Sequence, residues 1–119
     1  MALDPAGRRG LHWSHGEKKV ARAAFENALA RETAAIRKEV EARLKRSTEP
    51  SAIWDVHDFL SKKLRELQTK YDYRYSVLIG VFGRLLSEGW LTEVDLAELS
   101  PEKLELIRRV AGLAKELDT

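Results

Sequence analysis

The sequence predicts an all-α protein, and three observations carry that reading. From Ser14 to about Arg46 the chain is dominated by Ala, Glu, Lys and Arg, with no proline and no glycine after Gly16; these are strong helix formers. Beyond that stretch, apolar residues recur at threes and fours, the spacing of one helix face. No segment alternates apolar and polar residues long enough to make a strand.

The elements follow in order. Pro5, Gly7 and Gly10 break the first residues, which also carry Arg8-Arg9, so residues 1–13 are predicted to be a flexible arm. Ser14-His15-Gly16-Glu17 has capping-box spacing: the hydroxyl and the glutamate can each satisfy a free backbone N–H. The helix that begins there carries Phe25, Leu29, Ile36, Val40 and Leu44 as a narrow stripe. Glu39/Arg43 and Glu41/Lys45 stand four apart in the favourable order, each pair worth ~0.2–0.5 kcal/mol. At 1.5 Å per residue it is roughly 48 Å long, against a radius of gyration of ~13 Å for a compact chain of this size. Part of it must therefore project.

A turn containing Pro50 leads to a second helix, predicted to fold back antiparallel on the first. Ile53, His57, Leu60, Leu64, Leu67 and Tyr71 form a heptad-like seam along it, suited to helix–helix packing. Trp54, Asp58, Ser61 and Arg65 mark a second face. Two used faces on one helix exceed the partners a monomer of 119 residues offers, which points to a homodimer.

A third helix, from about Asp72 to Glu88, contains the most apolar run, Val77 to Leu86. Gly80 and Gly83 within it cost ~1 kcal/mol each against alanine, a cost offset by close approach of a neighbouring helix. Gly89 ends the helix as a C′ residue. Thr92-Glu93-Val94-Asp95 opens a short fourth helix. Ser100-Pro101 opens a fifth that ends near Leu117 and buries Leu104, Ile107, Ala111 and Leu113 or Ala114. The expected organisation is an arm over 1–13, a helical stem over 14–71 and a compact helical head over 72–119, with the stem mediating the dimer.

Composition excludes several classes. With 44% hydrophobic and 34% charged residues the chain can build a core, and with no cysteine it has no disulfide, thiol nucleophile or thiolate metal site. No apolar run reaches the ~18 residues of a membrane span, and Met1–Gly10 lacks the apolar core of a signal peptide. The expectation is a cytoplasmic protein. The net charge is +2. Residues 1–49 carry 11 Lys/Arg against 7 Asp/Glu and residues 50–119 carry 10 against 12, a weak polarity.

Trp54-Asp55-Val56-His57-Asp58 is the densest polar cluster. His57 beside Asp55 or Asp58 could act in acid–base chemistry, but the sequence supplies neither a nucleophile nor an oxyanion donor. His12 and His15 add no ligand pair at metal-binding spacing. The reading is therefore no enzyme, no metal and no cofactor. His57 is instead a polar residue fixing register in an apolar seam. Trp54 is core or an interface anchor. Arg8-Arg9, Lys18-Lys19 and Lys45-Arg46 could touch phosphates, yet acidic residues interleave with them and no recognition helix stands out, which disfavours nucleic acid. Tyr71, Tyr73 and Tyr75 read as packing and hydrogen-bonding groups.

From Ile53 onward, Trp54-x-x-His57-Asp58-Phe59-Leu60-Ser61, Lys70-Tyr71-Asp72-x-Arg74-x-Ser76-Val77 and Glu88-Gly89-Trp90-Leu91-Thr92 resemble the fluorescence recovery protein family of cyanobacteria. The resemblance runs without gaps to about Ile107 and includes Asp95-Leu96, Leu99-Ser100 and Lys103-Leu104. It implies an all-α dimer with a two-helix stem and a helical head. It also implies a non-enzymatic regulator that binds the C-terminal domain of the orange carotenoid protein. Such a regulator speeds the return of that protein from the red to the orange state and so restores phycobilisome fluorescence. Trp54, His57 and Asp58 stand at the family's interface positions, with Ile53 as an apolar dimer contact; Leu60 and Leu64 extend that face. Three positions depart: the family's stem arginine is Leu64 here, a bulky phenylalanine of the head is Gly80, and a lysine of the last helix is Leu106. Gly80 and Leu106 thus mark the head surface toward the partner. A homologue with another protein client on the same scaffold is the alternative, and a nucleic-acid-binding helical dimer the third.

Overall fold

Ser14 and Glu17 start the structure as a reciprocal cap. The Ser14 hydroxyl accepts the Glu17 N–H at 3.1 Å, and the Glu17 carboxylate accepts the Ser14 N–H at 3.1 Å. In the computed structural model, which describes residues 11–118, the cap opens α1 (His15–Arg46). α2 (Ser51–Lys70) and α3 (Leu78–Glu88) follow, then a 3₁₀ turn (Val94–Leu96) and α4 (Pro101–Asp118). The described residues contain no strand. Residues 1–10 of the expected arm lie outside the described residues.

α1 and α2 are antiparallel. The Arg43 guanidinium, near the end of α1, lies 4.1 Å from the centre of the Phe59 ring in the first half of α2. At the other end Lys70 reaches back to Glu32. The molecule measures 61 × 24 × 24 Å with a radius of gyration of 17.3 Å, well above ~13 Å for a compact chain. The projection expected of the first helix is present. Glu39 and Arg43 pair at 2.8 Å as expected, whereas Glu41 is taken by Arg37 at 3.1 Å rather than by Lys45.

The core gathers Leu78, Val81, Phe82 and Leu85 of α3, Leu91, Leu96 and Leu99 of the connection, and Ile107 of α4. They pack against Ala21, Ala24, Phe25 and Ala28 of α1. The buried stripe of α1 is thus mostly alanine and ends at Glu32, while Leu29, Ile36 and Val40 are half-buried and Leu44 is exposed. The expected stripe of large residues is corrected by one of small ones, along which the connection with its 3₁₀ turn lies close to α1. Trp13, counted with the arm, is also core: it is 5% exposed, and its ring centre lies 5.7 Å from that of Tyr75.

The third helix starts six residues later than expected. The Tyr71 N–H closes α2 on the Leu67 carbonyl at 2.9 Å. Residues 71–77 then turn, and the Tyr71 and Tyr73 rings both meet Phe25 edge-on, at 5.4 and 4.9 Å. Gly83 is the close approach anticipated for the glycine pair: a Cβ there would lie 2.4 Å from Val110 Cγ1. Gly80 has no such neighbour; a Cβ there meets nothing within 4 Å. Gly89 ends α3 at φ +87°, with the Trp90 N–H on the Leu85 carbonyl at 3.0 Å, as a C′ glycine does. The short fourth helix is a single 3₁₀ turn, held where Asp95 accepts the Thr92 N–H at 2.8 Å. In α4 Ile107 and Ala111 are buried and Leu104 half-buried as expected; of the two alternatives Ala114 is half-buried and Leu113 is 61% exposed.

Candidate protein-interaction site

α2 meets α1 through Ala52 and Val56, both buried, with half-buried Phe59 beneath Arg43. This contact row is offset by one residue from the seam read in the sequence. Ile53, His57, Leu60 and Leu64 are therefore rotated by about 100° and do not pack on α1. The reason is geometric: after a four-residue link, small Ala52 and Val56 permit an approach that isoleucine and histidine would block.

The consequence is an uncovered apolar face. Ile53 is 57% exposed, Trp54 67%, Leu60 41% and Leu64 55%. His57 and Asp58 stand among them, with His57 Nδ1 3.3 Å from Asp58 Oδ1 and both side chains in solvent. The Trp54 and His57 rings meet edge-on at 6.4 Å. A solvated His–Asp pair of this kind orients a ring; it has no buried pocket in which to do proton chemistry. Among the described residues, no group of three or more His, Asp or Glu side chains could hold a metal.

The two head positions are apart from this face and from each other in surroundings. Gly80 is exposed on α3. Leu106 of α4 is half-buried and lines an open groove of about 870 Å³ with Tyr75, Ser76, Ile79 and Lys103.

Two ionic clusters that sequence reasoning missed anchor these surfaces. Lys70, 6% exposed, donates at 2.7 Å to Glu32 of α1 and at 2.7 Å to Glu88 of α3. The Tyr71 hydroxyl donates to the other Glu32 oxygen at 2.8 Å, and Arg84 completes Glu88 at 2.9 Å. Burial opposes ionisation of Glu88, but hydrogen bonds from Lys70 and Arg84 outweigh it and hold its carboxyl below the usual range. Burial, reinforced by the Glu32 carboxylate, pushes the Tyr71 phenol far up. In the second cluster Lys103, 4% exposed, donates to Glu17 at 3.1 Å and sits 5.0 Å from the centre of the Trp13 ring. Glu17 also accepts the Ser100 N–H at 2.8 Å. Burial would raise its carboxyl, yet the Ser14 and Ser100 N–H groups and Lys103 bring it down to about 2. A signal for the first cluster was available: Glu32 continues the alanine stripe of α1 at helical spacing, a charge on a buried face that requires a cation.

Fold and surfaces together define an elongated all-α protein whose prominent feature is an uncovered apolar helix face rather than a catalytic pocket. No helix among the described residues is long and apolar enough to cross a membrane. The sequence pattern of the family described as photoprotection regulator fluorescence recovery protein matches residues 13–113, and the chain belongs to that family. It is 39% identical over 101 residues to the fluorescence recovery protein of Synechocystis sp., covering 85% of this chain and 93% of that one. The solved fluorescence recovery protein of Fremyella diplosiphon superposes with a TM-score of 0.77 at 41% identity, over 84% of this chain and 98% of that one. The solved Synechocystis protein gives 0.78 at 38% identity with the same coverage.

Proposed function

We propose that this chain is a non-enzymatic, cytoplasmic regulator that dimerises through its α1–α2 stem. In this reading it binds the C-terminal domain of the orange carotenoid protein and accelerates the red-to-orange return, so that phycobilisome fluorescence recovers. The observation that carries the reading is the Ile53, Trp54, His57, Asp58, Leu60, Leu64 face. It lies within the span matched by the family pattern, and nothing among the described residues covers it. Aromatic anchors such as Trp54 dominate binding energy when buried at an interface. The mechanism is a population shift: a ligand that prefers one conformer, or the barrier between two, moves its partner only by that difference in affinity. The test is the dark relaxation of photoactivated orange carotenoid protein with and without stoichiometric amounts of this chain. Acceleration supports the reading; an unchanged rate with a helical, dimeric sample sends the client elsewhere.

A second reading keeps the scaffold and changes the client. Three residues favour it: Leu64 where the resemblance has arginine, Gly80 where it has phenylalanine, and Leu106 where it has lysine. Gly80 leaves open space on α3 and Leu106 makes its groove wall apolar. If these losses divert the protein, Gly80→Phe with Leu106→Lys strengthens carotenoid-protein binding, and the open space at Gly80 accepts the larger ring. No gain in affinity would place specificity elsewhere.

A further inference from the structure

The outward face of the first three turns of α1 carries His15, Lys18, Lys19 and Arg22 around a shallow depression of about 390 Å³, with Ala23 and Glu26 completing its lining. Several other cations are neutralised at close range, as in Arg31–Asp95 at 2.9 Å, Arg74–Asp72 at 2.6 Å and Arg108–Glu93 at 2.7 Å. Lys18, Lys19 and Arg22 have no carboxylate partner among the described residues. Two of them rest on aromatic rings instead: Lys18 Nζ lies 5.3 Å from the centre of the Tyr75 ring and Arg22 Cζ 4.0 Å from that of Tyr73. A ring face holds a cation in place without cancelling its charge.

The electrostatics of the helix itself oppose this arrangement. The first turns of a helix are its positive end, where cations are unfavourable. Lys18 and Arg22 are four apart and Lys19 and Arg22 three apart, like-charge spacings that destabilise a helix. Glu17, the nearby acid in the first turn, is committed to Ser14, Ser100 and Lys103. A cluster that opposes its own helix and is seated on tyrosines has a use outside the fold.

We propose that Lys18, Lys19 and Arg22, with Tyr73 and Tyr75 behind them, form a docking surface for an acidic segment of a partner protein. A protein segment fits better than a nucleic acid. The cations span little more than one helical turn, and Glu26 lies one turn further along the same face, where a continuous row of phosphates would meet it. Tyr75 also lines the groove beside Ile79 and Leu106, so an apolar side chain next to the acidic residues has a place to go.

The experiment is residue-resolved NMR on the full chain, titrated with a hexaglutamate peptide and, separately, with a single-stranded DNA hexamer. The expected result is saturable shifts confined to residues 15–26 and 73–75 with the peptide. Affinity should be about tenfold weaker in the Lys18→Glu, Lys19→Glu, Arg22→Glu variant, from the loss of three exposed charge contacts. The helix content of that variant is checked alongside, so that lost affinity is read only on folded protein. Five results overturn the proposal. One is no shift; a second is shifts spread equally over Lys38, Lys45 and Lys62. The third is an unchanged affinity in the variant. The fourth is tighter binding of the DNA, which would assign the patch to phosphates. Concentration-dependent shifts at the same residues without peptide would instead assign it to a second copy of this chain, and would also overturn the proposal.

Discussion

Around Lys70 the chain buries charge and gives each group a partner; along Ile53, Trp54, Leu60 and Leu64 it leaves apolar side chains in water. The two regions are joined by one helix, α2, whose last residue is 6% exposed while its fourth is 67% exposed. Lys70, Glu32 and Glu88 join α1, α2 and α3 at the point where the hairpin leaves the core, so their pairing fixes the angle at which α2 departs. The apolar face contributes nothing to that packing. Burying a side chain of this kind is worth ~1.5–3 kcal/mol, and no described residue of the chain supplies the cover. The contrast separates residues that hold the fold from residues available for association.

Removing the buried cation is the strongest way to break this picture. Lys70→Met leaves the buried Glu32 with only the Tyr71 hydroxyl and no cation, and Glu88 with Arg84 alone. It should cost about 3–5 kcal/mol in denaturant unfolding, and a loss below about 1 kcal/mol would mean that the cluster does not hold the junction. Substitution at the two glycines of α3 should act in opposite directions. Gly83→Ala forces a Cβ onto Val110 and should destabilise by about 1–3 kcal/mol. Gly80→Ala, with open space around it, should stabilise by about 0.5–1 kcal/mol. Equal effects would contradict the helix contact at Gly83.

A pH dependence is expected as well. Glu17 and Asp95 are lowered from 4.5 and 3.8 to about 2, Asp95 chiefly by its bond with Arg31. A depressed carboxyl stabilises the fold above its unfolded value and loses that contribution as pH falls toward the folded one. Stability should therefore decline from about pH 5 to pH 2, and Glu17→Gln should flatten part of that slope. A flat wild-type profile would remove both carboxylates from the account.

Much of the fold was legible because it rests on local chemistry. The Ser14/Glu17 cap, the turn at Pro50, the stop at Gly89 and the start at Pro101 each depend on residues within a few positions. What was not legible depends on tertiary packing. Residues 72–77 have helical neighbours in sequence, but Tyr71 and Tyr73 leave the helix and meet Phe25 edge-on. The face of α2 was misassigned by one residue, since periodicity gives the spacing of a stripe and not which of two adjacent stripes meets α1. Trp13 looked like arm because the breakers before it say nothing of the ring's fit between Tyr75 and Lys103. The Ile53 to Leu64 residues were visible as a set, while Lys70 and Lys103 looked like ordinary surface lysines because their acids lie far away in sequence.

The measurement that tests the central claim most directly is sedimentation equilibrium of the wild type and Ile53→Glu at micromolar concentration. The wild type should sediment at about twice the mass of the 13.6 kDa chain. The variant should shift to the single-chain mass while its unfolding midpoint stays near that of an isolated wild-type chain, since Ile53 touches none of the core. A wild type that sediments as a single chain, or a variant that still sediments as a pair, would contradict the assignment of this face to self-association.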